Sequence, residues 1–425
     1  MKKLILTVLI ASTLVFTSCF KDDDTPIVIE ETTIINNGNG NGNGGEDCPI
    51  VAVTGFISED ITWTPDNIYQ LNQKVVVPDG VTLTINPGTI IKGSAGTGSL
   101  ASALIIARGG SINAQGTAEQ PIIFTSTSDN ITCGETAGTN LDENDRGLWG
   151  GLIVLGNAPS SFSGDIPTAQ IEGIPADDTF GQYGGSEPDD DSGFLRFISI
   201  RHGGALIGEG NEINGLTLGG VGAGTVIDNI EVVANVDDGV EFFGGNVNAS
   251  NLLVWAQGDD ALDIDQAYSG VIDNAVVVLG DVSDHAFEID GPEGTLNGEF
   301  TLQNVTIIGN TVTSNGEYAD YRSNAQGNTS NIYAYGFKDS SDVELDNDGV
   351  ATNYNNGDLT FGTWEIVLPT GVANVNDIFV NNAETVTVTG FGDFATAVTQ
   401  GNQTVGANTS NLSWTYANTA AGLGF

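Results

Sequence analysis

Short apolar runs recur along the chain, separated by polar and glycine-rich punctuation. Residues 224–233, 249–255 and 270–278 each carry a cluster of Val, Ile, Leu or Trp. Each run is followed by a second, shorter one at 239–244, 261–266 and 286–291. In these second runs apolar and charged residues alternate, as in Leu262, Asp263, Ile264 and Asp265. A period of two is the signature of a strand with one buried face. The turn acids mark the spacing: Asp237 to Asp259 is 22 residues, and Asp259 to Asp284 is 25. Similar runs appear at 80–85, 103–107, 122–125, 152–155, 195–200 and 302–307.

Two or three short strands per repeat, with no helical period, predict an all-β solenoid. One coil cannot bury its own apolar face. Stacked coils align Val, Ile and Leu in columns, each backbone pairing with the next at about 4.8 Å. Crossovers between parallel strands are right-handed, so the expected fold is a right-handed parallel β-helix. Glycine and asparagine are expected at its corners, where they tolerate positive φ. A β-propeller, with four strands per period of about 40 residues, does not fit.

Composition narrows the picture. The chain has 425 residues, 58 of them Gly, with 55 Asp and Glu against 11 Lys and Arg, for a net charge of -44. That charge repels phosphate backbones, so nucleic acid is excluded as a partner. The 40% hydrophobic content excludes general disorder. Residues 1–18 read as a signal peptide, with Lys2 and Lys3 before a 13-residue apolar run too short to span a bilayer. Cys19, after Thr17 and Ser18, resembles the acylated cysteine of a bacterial lipobox. Lys21 and the acidic run 22–24 resemble the export signal of surface lipoproteins. Residues 19–47, acidic and then Asn/Gly-rich, are expected to be a flexible tether. Residues 48–425 form the β-helix, with a closing region from about 330. In an oxidising compartment Cys48 and Cys133 either pair or remain two free thiols.

The segments 147–156, 237–249 and 258–270, with the opening 76–93 and 109–125, resemble a largely uncharacterised family of Bacteroidetes-type surface lipoproteins with a right-handed β-helix. More distantly the chain is similar to the pectate-lyase-like superfamily, which holds lyases, hydrolases, adhesins and spacers. The resemblance implies an outer-membrane, lipid-anchored protein facing the cell exterior, and it does not imply one reaction.

Alternation places Val240, Phe242, Leu262, Ile264, Phe287 and Ile289 inward. Outward stand Glu241, Asp263 and Glu288 in one column and Asp265 and Asp290 in a second, with Phe243 beside them. Stacked like charges repel. Calcium, which binds oxygen at about 2.3–2.6 Å, would relieve this at Glu241, Asp263, Asp265, Glu288 and Asp290; the other reading is a solvated acidic face. Catalytic candidates are Asp259, Asp260, Asp263, Asp265 and His285. Asp263 and Asp265, about 6.5–7 Å apart on one strand face, match the separation of inverting glycosidases. The basic partner of such a site is not evident: Arg201, His202 and Arg322 cannot be placed by spacing. His202 reads as a strand-end hydrogen-bonding residue and Trp149 as a packing residue. Trp255 is a candidate sugar-stacking platform beside the acidic columns, or else a corner-packing residue. Asp177, Asp178 and the acids of 187–191 read as a protruding acidic loop. The expected function is binding of a glycan or other surface ligand, with calcium stabilising the acidic coils. The alternatives are a polysaccharide hydrolase or lyase, and an accessory subunit of an outer-membrane transporter.

Overall fold

The computed structural model describes residues 33–35, 48–176, 178–206 and 213–425. The signal segment, Cys19, Asp177 and most of the tether lie outside them. Among the described residues, twenty-six strands join one sheet that winds into a parallel β-helix. Within the tether, Thr33–Ile35 is a strand, pairing antiparallel with residues 50–52 at the first coil. Thr33, Ile34 and Ile35, inside the expected tether, are β-branched, and such residues favour strand.

Register confirms the stacking. Val226 pairs with Asn248, and Ala249 with Ile272, steps of 22 and 23 residues. Later steps lengthen to 30 at Val271 and Thr301 and to 27 at Phe300 and Gly327, because loops grow between strands. Coils continue to the strand Ala395–Ala397, within the closing region expected from about 330. The inward column Leu152, Leu216, Val240, Leu262 and Phe287 is fully buried, as are Val154, Leu218, Phe242, Ile264 and Ile289 beside it. Each such side chain contributes about 1.5–3 kcal/mol by leaving water.

One corner of successive coils is turned by a single residue with positive φ: Asn229, Asn251, Asn274, Asn304 and Asn331, at φ 56–63°. Their amides bond from coil to coil, as Asn274 Nδ2 to Asn251 Oδ1 at 2.7 Å and Asn331 Nδ2 to Asn304 Oδ1 at 3.0 Å. Asparagine is at home here because it tolerates the left-handed region and carries a hydrogen-bonding side chain. Cys48 and Cys133 are joined by a disulfide with Cα atoms 5.9 Å apart. It closes a loop of 85 residues, worth about 4.5 kcal/mol in the chain-entropy treatment.

Two segments cover faces that alternation directs outward. The insertion between Leu155 and Gly193 lays Phe162, Ile171, Ile174 and Tyr183 on Ile153, Leu155 and Phe243. Its apolar side chains find the outward apolar residues of the early coils and pack as a cover, while Glu187, Asp189 and Asp191, expected in a protruding acidic loop, are exposed. The tail after residue 397 runs back along the solenoid. Thr404 bonds Glu365, Ala407 N bonds Thr306, Asn411 bonds Asn251, and Ala417 N bonds Glu231.

Candidate functional site

The strands Val240–Phe243, Leu262–Asp265, Phe287–Ile289, Ala319–Tyr321 and Val343–Leu345 stack in register. Their outward residues form the column Glu241, Asp263, Glu288, Asp320 and Glu344. A second column continues Asp265 into Asp290, Arg322 and Asp346. A third lies at the preceding turn, where backbone pairing aligns Asp238, Asp260, His285, Glu317 and Asp342. Together they make an acidic lane along one face.

The turn column has a structural reason. Asn214 Oδ1 accepts from Asp238 N (3.2 Å), Asp238 Oδ1 from Asp260 N (2.9 Å), and Asp260 Oδ1 from His285 N (2.7 Å). A short acceptor at each turn thus satisfies the next coil's amide, which would otherwise be orphaned. His285 Nδ1 also lies 2.9 Å from Asp260 Oδ1.

The lane has a covered end and an open end. Asp238, Glu241, Asp260 and Asp263 are 3–9% exposed, with Asn214 donating to Glu241 and to Glu172 of the insertion. Burial, then the charge of neighbouring acids, raises Asp238, Glu241 and Asp263 well above the usual carboxylate range. Toward the open end, burial and Asp260 push Glu288 to about 9, despite Arg322 and His285. Burial with neighbouring charge brings Asp265, Glu317 and Asp320 to about 7 and Asp259 to about 6. His285 is lowered by burial but raised more strongly by its bond to Asp260 and the surrounding acids, to about 10.

Ligand atoms of Asp238, Glu241 and Asp263 all lie within 4.8 Å of one another. Oxygens on opposite sides of one calcium ion stand about 4.6–5.2 Å apart, so the three fit such an ion. Asp263 Oδ1 is buried without a hydrogen-bond partner, a costly state for a carboxylate oxygen. Asp260, His285 and Glu288 form a second group of this kind, and Glu317, Asp342 and Glu344 a third.

The expected site residues separate. Glu241, Asp263, Asp265, Glu288 and Asp290 do share the lane. Glu288 and Asp290, expected as calcium ligands, hold Arg322, whose Nη2 is 2.7 Å from Asp290 Oδ2 and also contacts Glu288. Among the catalytic candidates, Asp260 and Asp263 are buried, Asp265 and His285 are half-buried, and Asp259 is exposed. Of its two readings, Trp255 fits packing and not a sugar-stacking platform beside the acids. It stands on a different face, 7% exposed, beneath the tail, with its ring 6.2 Å from Tyr416. Its parity is outward, but the tail occupies that side. His202 Nδ1 lies 2.6 Å from Asp145 O, and Trp149 is fully buried with Nε1 bonded to Arg201 O. Arg201 is buried with Glu231 beneath Tyr416.

Missed entirely were Glu317, Asp320, Arg322, Asp342, Glu344 and Asp346 as members of the lane. A signal existed: Val343, Glu344, Leu345 and Asp346 repeat the pattern of Leu262 to Asp265. The 32-residue step from Glu288 to Asp320 hid the continuation.

Fold and lane define a parallel β-helix with an acidic face. The chain belongs to the family described as the pectate-lyase like beta helix domain, whose model matches residues 55–419. Two crystal structures of the pectin methylesterase from Aspergillus niger, one deglycosylated and one penultimately deglycosylated, are similar at 12% identity and TM-score 0.30. The match covers 79% of this chain and 86% of that one. No curated protein matches the chain.

Proposed function

We propose that the chain is a lipid-anchored surface β-helix that binds a glycan along the open part of the lane. A calcium ion is held at the covered end by Asp238, Glu241 and Asp263. The observation that carries the ion is the buried, unpartnered Oδ1 of Asp263 within that three-carboxylate group. Arg322, about one-third exposed, and the half-buried Glu288 and Asp320 offer donors and acceptors to sugar hydroxyls. The anchor at Cys19 and the outer-membrane location rest on the sequence of residues 1–24 alone. A glycan array probed with and without calcium tests the reading. Calcium-dependent retention of one glycan class, lost in Asp263→Asn and weakened in Arg322→Ala, is the expected result. No retention of any glycan in calcium removes the binding reading.

A second reading is favoured by Arg322, the basic group that spacing could not place beside the acids. Glu288, held protonated at neutral pH, has the character of a general acid. Asp290 is the second carboxylate: both contact the same Nη2 of Arg322, so their oxygens stand within about 5 Å, the spacing of a retaining pair and not of an inverting one. Reducing-sugar release from a polysaccharide, abolished in Glu288→Gln, would establish it.

A further inference from the structure

A cavity of about 520 Å³ lies where the tail crosses the asparagine corner, away from the acidic lane. Ser250, Asn251, Asp273, Asn274, Asn408 and Asn411 are among the residues that line it. Its volume falls within the roughly 300–1,000 Å³ of small-molecule sites. The walls come from segments more than 130 residues apart, held by Asn408 N to Asn274 Oδ1 (2.5 Å) and Asn411 Nδ2 to Asn251 Oδ1 (2.9 Å).

These bonds settle which polar atoms remain for a ligand. Asn251 Oδ1 is fully used, accepting from both Asn274 and Asn411. Asp273 Oδ1 accepts from Gln303 (3.2 Å) and Asn304 (2.6 Å). Its Oδ2 has no hydrogen bond among the described residues. Ser250 Oγ donates to Asp228 and keeps its lone pairs. Asn411 keeps its Oδ1 and one amide proton. The cavity therefore presents acceptors grouped around one carboxylate, with an amide donor beside them. An anion is repelled by Asp273. A bare cation finds too few unengaged oxygens, and no aromatic or aliphatic wall receives an apolar ligand.

We infer that this cavity is a second binding site, separate from the lane, for a neutral saccharide that presents adjacent hydroxyls to Asp273 and Asn411. Two hydroxyls donating to one fixed carboxylate oxygen and one amide oxygen match the acceptors on offer, and hydrogen bonds to a charged group are the stronger kind. Without a stacking ring the affinity is modest.

The test is ligand-observed NMR on the full chain with methyl glycosides of glucose, galactose, mannose and xylose. At least one is expected to bind. Asp273→Asn keeps the acceptor used by Gln303 and Asn304 but turns the other oxygen into a donor, so binding weakens at least tenfold while the melting midpoint stays. Asn411→Ala, on the exposed tail, gives the same loss independently of Asp273. Asp263→Asn leaves binding unchanged, which separates this site from the lane. Failure of every glycoside to bind, retention in both cavity variants, or loss in Asp263→Asn alone overturns the inference.

Discussion

Asp263→Asn separates a cation site from a merely acidic surface. In wild type, Asp238, Glu241 and Asp263 bring three carboxylates within 4.8 Å and out of water. With no ion they stay protonated or repel, and either state costs stability. The variant keeps the side chain's shape and removes one charge beside Glu288 and Asp265. In a chelator its unfolding midpoint is therefore equal to or above that of wild type. Calcium reverses the order. At a free concentration of 100 Kd, an ion that binds only the folded chain contributes about 2.7 kcal/mol. At about 2.1 cal/mol/K per residue over residues 48–425, one kcal/mol is worth about 1.3 °C, so the wild-type midpoint rises by roughly 3–4 °C. The variant, with one charged ligand lost, moves by less than half as much. Differential scanning fluorimetry with chelator and with stepped calcium, magnesium and manganese reads both curves. A wild-type midpoint flat in all three ions, or a variant that climbs in parallel, refutes the reasoning.

Other consequences are equally direct. Without divalent ions, stability should fall as pH rises from 6 to 8. Asp265, Glu317 and Asp320 hold protons to about 7 when folded but release them near the usual carboxylate range when unfolded. Their contribution is thus greatest in acid and is lost through about pH 7. His285, at about 10 when folded, acts in the same direction; each net proton is worth about 1.4 kcal/mol per pH unit. Chemical unfolding at pH 6 and 8 in chelator checks the sign. Glu231→Ala leaves Arg201 buried without its partner and frees Ala417 N. A loss of about 3–5 kcal/mol in urea unfolding is expected, with the tail becoming protease-sensitive. Trp255→Ala should cost about 3–5 kcal/mol through the cavity it leaves and leave glycan binding at the lane unchanged, since its ring lies under Tyr416.

Much of this architecture is local, and local features are legible in the residues themselves. A strand's side chains alternate by backbone geometry, so Leu262 and Ile264 had to share one face and Asp263 and Asp265 the other. Asparagine at positive φ is likewise a property of one residue, and Asn229, Asn251 and Asn274 announce the corner. Similar coils then stack in register, bringing Glu241, Asp263 and Glu288 into one column. Coverage is different. Whether an outward residue meets water depends on which distant segment lies over it, and no period in the sequence encodes that. Trp414 reaches Asn229 across 185 residues, and Tyr416 covers Trp255. Tyr183 covers Phe243 from an insertion that breaks the repeat. Arg322 reaches Asp290 because a 32-residue step keeps register through a long loop. Outward direction was therefore set by the chain's own alternation, whereas burial of the acids and the placing of Arg322 among them were decided by tertiary docking.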